Sequence, residues 1–224
     1  MGTWVVTGAN RGIGLAFARA LSKRGETVVG TARQPAGANE LRAAGARVEK
    51  LDVSKDSSVA DFVRRLEGVP VDVLVHNAAV GEEGSRIEEL EPDAVLRALD
   101  VNAVGPERVT RALLPNLFAG RLRKVVAITS GLGSLSQNTD GGWYAYRMSK
   151  VALNMFVRTL AEELAKERFT CAVLSPGWVR TAMGGPNAPL TPDESVAEML
   201  KVIDGFRPSD AGRFLDRHGR DVPW

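Results

Sequence analysis

The chain has 224 residues, of which 44% are hydrophobic and 25% are charged, and its formal net charge is +2. This length suits one domain with a substantial core, so we expect a single domain over residues 1–224. A weakly basic chain without a run of five or more lysines and arginines does not favour nucleic acid as a partner. One cysteine, Cys171, and two histidines provide neither an internal disulfide nor a set of metal ligands.

The amino end runs directly into an apolar segment, residues 4–7, which reads as a buried strand. This leaves no room for a signal peptide, and no apolar stretch approaches the length of a membrane span. We therefore expect a cytoplasmic protein without a membrane partner.

A glycine-rich loop, residues 8–14, follows this strand and precedes a segment of helical composition, residues 15–21. Glycines at such a place let a pyrophosphate approach the backbone closely and rest on the amides of a helix N-terminus. Because the loop lies directly between strand and helix, it predicts a dinucleotide site rather than an incidental turn.

The end of the second predicted strand, residues 27–32, indicates which dinucleotide is preferred. An acidic residue there binds the ribose 2′-hydroxyl of NAD, whereas arginine accommodates the 2′-phosphate of NADP. No Asp or Glu occurs between Thr27 and Asn39, and Arg33 stands where the ribose is expected, with Arg11 as a second cation. We therefore expect NADP(H) to be preferred over NAD(H); the alternative is that both arginines are solvated surface residues.

A tyrosine and a lysine, Tyr146 and Lys150, are four residues apart and lie one turn apart on the same face of a helix. A cation near a phenol lowers its pKa toward working pH, which makes Tyr146 a candidate proton donor. Taken alone, such a pair is more often a half-buried ring beside a solvated amine. The neighbouring Tyr144 is followed four residues later by Met148, so only Tyr146 has the cation.

The glycine spacing in residues 8–14 is Gly-x-x-x-Gly-x-Gly, and together with Thr7, Tyr146 and Lys150 it resembles the short-chain dehydrogenases/reductases. Residues 140–147 and 184–192 resemble the C-factor-like and sniffer-like carbonyl reductases of this family. The resemblance implies a single doubly wound Rossmann-type α/β domain, with a parallel sheet of about seven strands and helices on both faces. The alternation of predicted strands and helices agrees with that architecture.

The resemblance also implies hydride transfer between NADP(H) and a small-molecule carbonyl or secondary alcohol. Tyr146 would donate the proton, and Lys150 would lower its pKa and hold the nicotinamide ribose. Ser130, at the carboxyl end of the predicted strand 125–130, would position the carbonyl oxygen; Thr129 and Ser134 remain alternatives for that role.

Asn102 is the fourth expected catalytic residue, within a helical pattern that runs from residue 91 toward residue 115. Pro106 has no N–H and cannot bond the Asn102 carbonyl, which leaves an acceptor free. The resemblance implies that this carbonyl holds a water leading to Lys150. A plain helix kink is the alternative, and the two interpretations are compatible.

The other expected cofactor contacts lie at the carboxyl ends of the predicted strands. Asp52 either contacts the adenine or caps the next helix. His76 and Ala79 depart from the family pattern, which has asparagine and glycine there, and we read both as tolerated variation. By resemblance the full set of cofactor contacts comprises Gly8, Asn10, Arg11, Gly12, Ile13, Gly14, Arg33, Asp52, Val53, Asn77, Ala78, Ala79, Tyr146, Lys150, Pro176, Gly177, Val179 and Thr181.

Three further expectations concern mobility, assembly and role. Residues 183–192 are interpreted as a substrate flap, or a surface loop, or both. The resemblance implies a homodimer or homotetramer, and small residues of the helix 148–166 allow close packing. The alternative function is a cofactor-binding signalling protein that does not need turnover; the four filled catalytic positions favour the enzyme.

Overall fold

A computed structural model describes residues 1–81 and 86–224 of the chain. Its strands form one parallel sheet of seven strands, in the order β3-β2-β1-β4-β5-β6-β7. The strands are β1 Thr3–Val6, β2 Thr27–Ala32, β3 Arg47–Lys50, β4 Val73–His76, β5 Lys124–Ile128, β6 Thr170–Ser175 and β7 Phe214–Asp216. The helices are α1 Gly12–Lys23, α2 Asn39–Ala43, α3 Asp56–Arg65, α4 Pro92–Leu99, α5 Gly105–Ala119, α6 Tyr144–Glu163 and α7 Pro192–Gly205.

Two apolar layers enclose the sheet. One buried cluster joins α1 and α7 to one face, and the other joins α3, α5 and α6 to the opposite face. The central strands are buried on both sides, as expected of a parallel sheet covered by helices, which explains their continuous apolar sequences. The expected Rossmann-type fold is confirmed.

The strand order reverses at β1, which pairs with β2 on one side and β4 on the other. In open parallel sheets ligands bind outside the carboxyl ends of the strands at this reversal. The glycine loop after β1 and the segment after β4 therefore share one crevice.

Helix α6 begins at Tyr144, four residues earlier than the sequence predicts, so Tyr146 lies inside the helix. The chain enters it through left-handed backbone at Gly141, Gly142 and Trp143. The buried guanidinium of Arg147 holds this turn, because it donates to the Gly142 carbonyl at 3.0 Å and the Gly141 carbonyl at 3.1 Å.

Other boundaries differ by one to a few residues. Strand β5 ends at Ile128, which leaves Ser130 in the loop beyond it. Helix α7 begins with a capping box: Thr191 Oγ1 accepts from the Glu194 amide at 3.2 Å, and the Glu194 carboxylate accepts from the Thr191 amide at 2.8 Å. No helix in the described part of the chain is long and apolar enough to cross a membrane.

Candidate active site

Tyr146, Lys150 and Ser130 come together where α6 passes the carboxyl end of β5. The Ser130 hydroxyl lies beside the Tyr146 phenol, close enough to influence its pKa. The Lys150 ammonium lies 5.5 Å from the centre of the Tyr146 ring and donates to the carbonyl oxygen of Ile128 at 2.9 Å. The helix spacing and the strand end therefore place a phenol, a hydroxyl and an ammonium in one site.

Burial shifts both ionisable groups of this site away from their charged forms. It raises the pKa of Tyr146 to about 12, and the hydrogen bond with Ser130 acts in the opposite direction. It lowers the pKa of Lys150 to about 8. The sequence predicts that Lys150 lowers the pKa of Tyr146; in this arrangement burial outweighs that effect, because the ammonium is bonded to Ile128 and not to the phenol.

Of the three candidate hydroxyl groups for the carbonyl-binding role, the Ser130 hydroxyl lies beside the Tyr146 phenol. The Thr129 hydroxyl donates to Asn154 Oδ1 at 2.6 Å. The Ser134 hydroxyl donates to the Pro223 carbonyl at 2.5 Å. The structure therefore favours Ser130, because the other two hydroxyls are engaged elsewhere.

The expected interruption near Asn102 is a single π-helical turn over Asp100–Val104, between α4 and α5. The Gly105 amide donates to the Asp100 carbonyl, five residues earlier, and Pro106 follows as the second residue of α5. The helix thus continues through a wider turn instead of stopping, which is a known way to accommodate a local break in the hydrogen-bond ladder.

The side chain of Asn102 has a role that the sequence did not indicate. Its Oδ1 accepts from the Val80 amide at 2.8 Å, and its Nδ2 donates to the Val80 carbonyl at 2.8 Å and to Ser149 Oγ at 2.9 Å. Ser149 Oγ in turn donates to the Tyr146 carbonyl at 2.7 Å. Asn102 therefore ties the segment after β4 to the helix that carries Tyr146.

The glycine loop packs tightly against the segment after β4. A Cβ on Gly8, whose φ is +63°, would lie 2.8 Å from the Ala78 Cα, and one on Gly14 would lie 2.5 Å from Asn77 Nδ2. Asn77 Nδ2 also donates to the Thr7 and Gly8 carbonyls at 2.9 and 3.0 Å. Only glycine fits these two positions, because Ala78 and Asn77 fill the space beside them, and this close packing fixes the tight turn of the loop.

The cap residue of α1, Arg11, offers no side-chain acceptor to the first amides of the helix. Such amides bind anions readily. Arg11 and Arg33 are exposed, and neither guanidinium makes a hydrogen bond or salt bridge with the described residues. The Arg11 cation thus lies next to these amides, whereas Arg33 lies near the Asp52 carboxylate.

Asp52 closes the turn before α3 and does not cap the helix itself. Its Oδ1 accepts from the Ser54 amide at 3.1 Å and the Ser54 hydroxyl at 2.7 Å, while Lys55 is the cap residue. Partial burial acts to raise the pKa of Asp52, but the Ser54 hydrogen bonds and the charge of Arg33 outweigh it, so the pKa lies below its usual value. Arg33 and the end of β3 therefore share one edge of the crevice.

The flap segment, residues 183–192, and the residues just before it pack beside the crevice. Thr181 packs beside the glycine loop, with its methyl 3.3 Å from where a Cβ on Gly12 would stand, and its hydroxyl accepts from the Gly184 amide at 3.1 Å. The Trp178 indole donates to the Gly184 carbonyl at 2.7 Å. Met183 lies against Gly81, where a Cβ would come within 2.8 Å of its side chain.

The structure accommodates both departures from the family pattern, His76 by its packing and Ala79 by its backbone conformation. His76 is buried, its Nε2 is 2.7 Å from Thr110 Oγ1, and burial lowers its pKa to about 3. It is thus a neutral structural histidine behind the site. Ala79 is not among the residues with positive φ, so it needs no glycine.

The remaining expected contacts flank the crevice. Gly177 has a φ of +79°, and the Pro176 carbonyl accepts from the Ser195 hydroxyl at 2.7 Å. Val179 pairs with Leu190 across the base of the flap. Within the described residues, no group of three or more His, Cys, Asp or Glu could hold a metal ion.

Comparison with known proteins places this site in a family. Residues 3–189 match the family model described as short chain dehydrogenase. The C-signal protein of Myxococcus xanthus is 51% identical over 155 residues, which cover 69% of this chain and 93% of that protein. Two solved structures superpose closely. The carbonyl reductase Sniffer of D. melanogaster has a TM-score of 0.95 and 31% identity over all of both chains. The NADPH-bound carbonyl reductase from chicken fatty liver has a TM-score of 0.94 and 30% identity, over 100% of this chain and 99% of that one.

These relatives include the C-factor and Sniffer proteins to which the sequence segments 140–147 and 184–192 point. With the glycine loop, the Tyr146/Lys150 pair and the sheet order, they establish that this chain belongs to the short-chain dehydrogenase/reductase family of oxidoreductases.

Proposed function

We propose that this chain, as one domain over residues 1–224, is an NADP(H)-dependent oxidoreductase that interconverts a small-molecule carbonyl and a secondary alcohol. The observation that carries the proposal is that the Ser130 hydroxyl lies beside the Tyr146 phenol, on a helix that also presents Lys150 close to the same ring. This trio lies at the carboxyl-terminal edge of the parallel sheet, the same edge at which the glycine loop follows β1. The carbonyl reductase function of the structural neighbours supports it.

The crevice fits a dinucleotide with an added phosphate. Gly8 and Gly14 let the loop turn tightly against the segment after β4, and the first amides of α1 lack a side-chain cap. Arg33 and Arg11 supply positive charge, and the sequence from Thr27 to Asn39 contains no Asp or Glu that would repel a 2′-phosphate. The chicken relative binds NADPH, which agrees with this preference. We infer NADP(H) as the preferred cofactor, with NAD(H) as the alternative.

NADPH, when bound, supplies the hydride that adds to the carbonyl carbon. Tyr146 holds the proton that the carbonyl oxygen receives, so that the alcohol forms with its charge balanced. Ser130 is placed to donate a hydrogen bond to the same oxygen. Lys150, whose pKa of about 8 keeps it mostly cationic at neutral pH, provides the positive charge that favours proton release from the phenol.

A role for Asn102 and the assembly of the protein belong to the same proposal. The Asn102 carbonyl is proposed to hold a relay water next to Lys150, while its side chain fixes Val80. The protein is proposed to act in the cytoplasm as a homodimer or homotetramer. Its mass in solution, measured by light scattering, tests the assembly.

A screen of NADPH oxidation over aldehydes, ketones, quinones and diketones tests the function directly. Turnover of at least one class, with weaker use of NADH, is the expected result. No turnover with any of them at high protein concentration would contradict the proposal.

The second candidate function is signalling, which the 51% identity to the C-signal protein favours. It is separated from the first by comparing the wild type with Tyr146→Phe in a biological assay. Loss of turnover without loss of biological effect would support signalling, and parallel loss of both would support the reductase.

A further inference from the structure

We propose that Asn154 is a positioning residue that holds Ser130 against Tyr146 by fixing the backbone on both sides of the serine. The inference rests on the proposed reductase function, in which Ser130 meets the carbonyl oxygen. Asn154 itself touches neither Tyr146 nor Ser130 through a described hydrogen bond; it acts through Thr129 and Gly133.

The amide of Asn154 is 2% exposed and uses both of its polar atoms. Its Oδ1 accepts from the Thr129 hydroxyl at 2.6 Å, and its Nδ2 donates to the Gly133 carbonyl at 3.1 Å. Thr129 immediately precedes Ser130, and Gly133 follows it by three residues. One buried side chain is therefore hydrogen-bonded to the chain both before and after Ser130.

Between these two points the backbone forms one short 3₁₀ turn. The Ser130 carbonyl accepts from the Gly133 amide at 2.9 Å, and Ser130 Oγ accepts from the Leu132 amide at 3.1 Å. Because the turn is closed by its own hydrogen bonds, it moves as a unit when either end is released. The position of the Ser130 hydroxyl thus depends on how the two ends of the turn are held.

The turn also packs directly on α6. A Cβ on Gly133 would lie 3.0 Å from Asn154 Nδ2 and 3.0 Å from the Lys150 Cβ, so glycine allows this close approach. Tyr146, Lys150 and Asn154 are spaced four residues apart and share one face of the helix. The same helix face therefore carries the acid Tyr146, the cation Lys150 and Asn154, which binds both ends of the Ser130 turn.

The chemistry of the side chain matches the task. One neighbour is a donor and the other an acceptor, and a neutral amide satisfies both at once without placing a charge in the core. A carboxylate would lack the donor for Gly133, and an aliphatic side chain would lack both groups. Since a displacement of about 1 Å at a reacting group can cost about 10²-fold in rate, release of this turn is expected to slow the chemical step.

The test compares Asn154→Leu with the same substitution at a second buried asparagine, Asn116. Asn116 is also buried, and its Nδ2 donates to the Leu66 and Val69 carbonyls at 2.7 and 2.9 Å, away from α6. Asn116→Leu therefore removes a comparable buried amide. We expect Asn154→Leu to lower kcat for carbonyl reduction about 30- to 100-fold with little change in KM for NADPH. Asn116→Leu is expected to lower stability but to leave the kcat of the folded enzyme unchanged.

The double variant Thr129→Val/Asn154→Leu separates positioning from stability. It removes both partners of the buried pair, so no polar atom of that pair is left unsatisfied and part of the thermal stability returns. The Gly133 carbonyl still lacks its donor, so kcat is expected to stay low. Recovery of kcat together with stability would overturn the proposal. If Asn154→Leu does not fold, Thr129→Val alone releases one end, and an unchanged kcat in it would also overturn the proposal.

Amide hydrogen exchange gives a readout that does not need turnover. In Asn154→Leu the Leu132 and Gly133 amides are expected to exchange at least about tenfold faster than in the wild type, but not in Asn116→Leu. Unchanged protection of both amides would overturn the proposal. A wild type that reduces no carbonyl would instead contradict the proposed function, and the exchange comparison would still test how the turn is held.

Discussion

The Lys150 ammonium donates to the Ile128 carbonyl oxygen at 2.9 Å while lying 5.5 Å from the centre of the Tyr146 ring. The lysine is thus anchored to the end of β5 and not to the phenol beside it. Both groups are displaced from their ordinary pKa in the direction that disfavours charge, the phenol to about 12 and the ammonium to about 8. The cation is therefore the group of the pair that titrates near working pH.

The first prediction concerns the pH dependence of reduction. Burial lowers the pKa of Lys150 to about 8, so the ammonium is present below that pH and is lost above it. We expect kcat/KM for the carbonyl, at saturating NADPH, to fall as pH rises through about 8. Lys150→Met should be slower throughout and should lack this step. A wild-type profile that stays flat to about pH 9.5 would contradict the assignment.

The second prediction concerns the choice of cofactor. Arg33 has no hydrogen bond or salt bridge with the described residues and lies near the Asp52 carboxylate. Arg33→Ala should raise the Kd for NADPH about 10- to 100-fold, since a hydrogen bond to a charged group contributes about 1.5–3 kcal/mol. The Kd for NADH should change little.

Arg111→Ala is the matched control for this prediction, because Arg111 is an exposed arginine on α5 that pairs with Glu107. Both dissociation constants are measured by fluorescence titration. Tighter binding of NADH than of NADPH by the wild type would refute the preference.

The third prediction concerns acid stability and His76. Its folded-state pKa is lowered to about 3 by burial, against an ordinary value of 6.5. The unfolded chain therefore binds the proton first, and the stabilisation present above pH 6.5 is lost as pH falls toward 3. From about pH 7 to about pH 4.5, the urea midpoint of the wild type should drop more than that of His76→Asn. Equal drops would show that His76 does not control this loss; His218→Asn, which removes the other histidine, is the control.

The features of the site that depend on residues close together in the sequence were predictable. Strand, glycine loop and helix follow one another within residues 3–23, and Tyr146 and Lys150 share a helix face by spacing alone. Such features depend on neighbours along the chain. The order of elements then followed from the alternation of strands and helices.

The contacts between distant segments were not predictable. Asn102 holds Val80 across 22 residues, and Asn154 holds Thr129 across 25. Which side chains meet in this way depends on how the helices pack on the sheet. The spacing of Asn154 four residues after Lys150 was a signal that placed it on the catalytic face, but its partners appear only in the folded chain.

The shape of the helix break at Asn102 also depends on packing. Pro106 accounts for the missing donor, as the sequence indicates. The wide turn forms at Gly105, where a Cβ would lie 2.8 Å from the Val53 side chain, so the close approach of the loop after β3 is involved. No local sequence pattern predicts that Val53 packs against Gly105.

The most direct test of the reductase assignment compares Tyr146→Phe with Tyr144→Phe, which change the two tyrosines of the chain by one hydroxyl each. Loss of the acid should lower kcat for carbonyl reduction about 10²- to 10⁴-fold in Tyr146→Phe, with the Kd for NADPH nearly unchanged. Tyr144→Phe should remain close to the wild type. Full reductase activity in Tyr146→Phe would contradict the account.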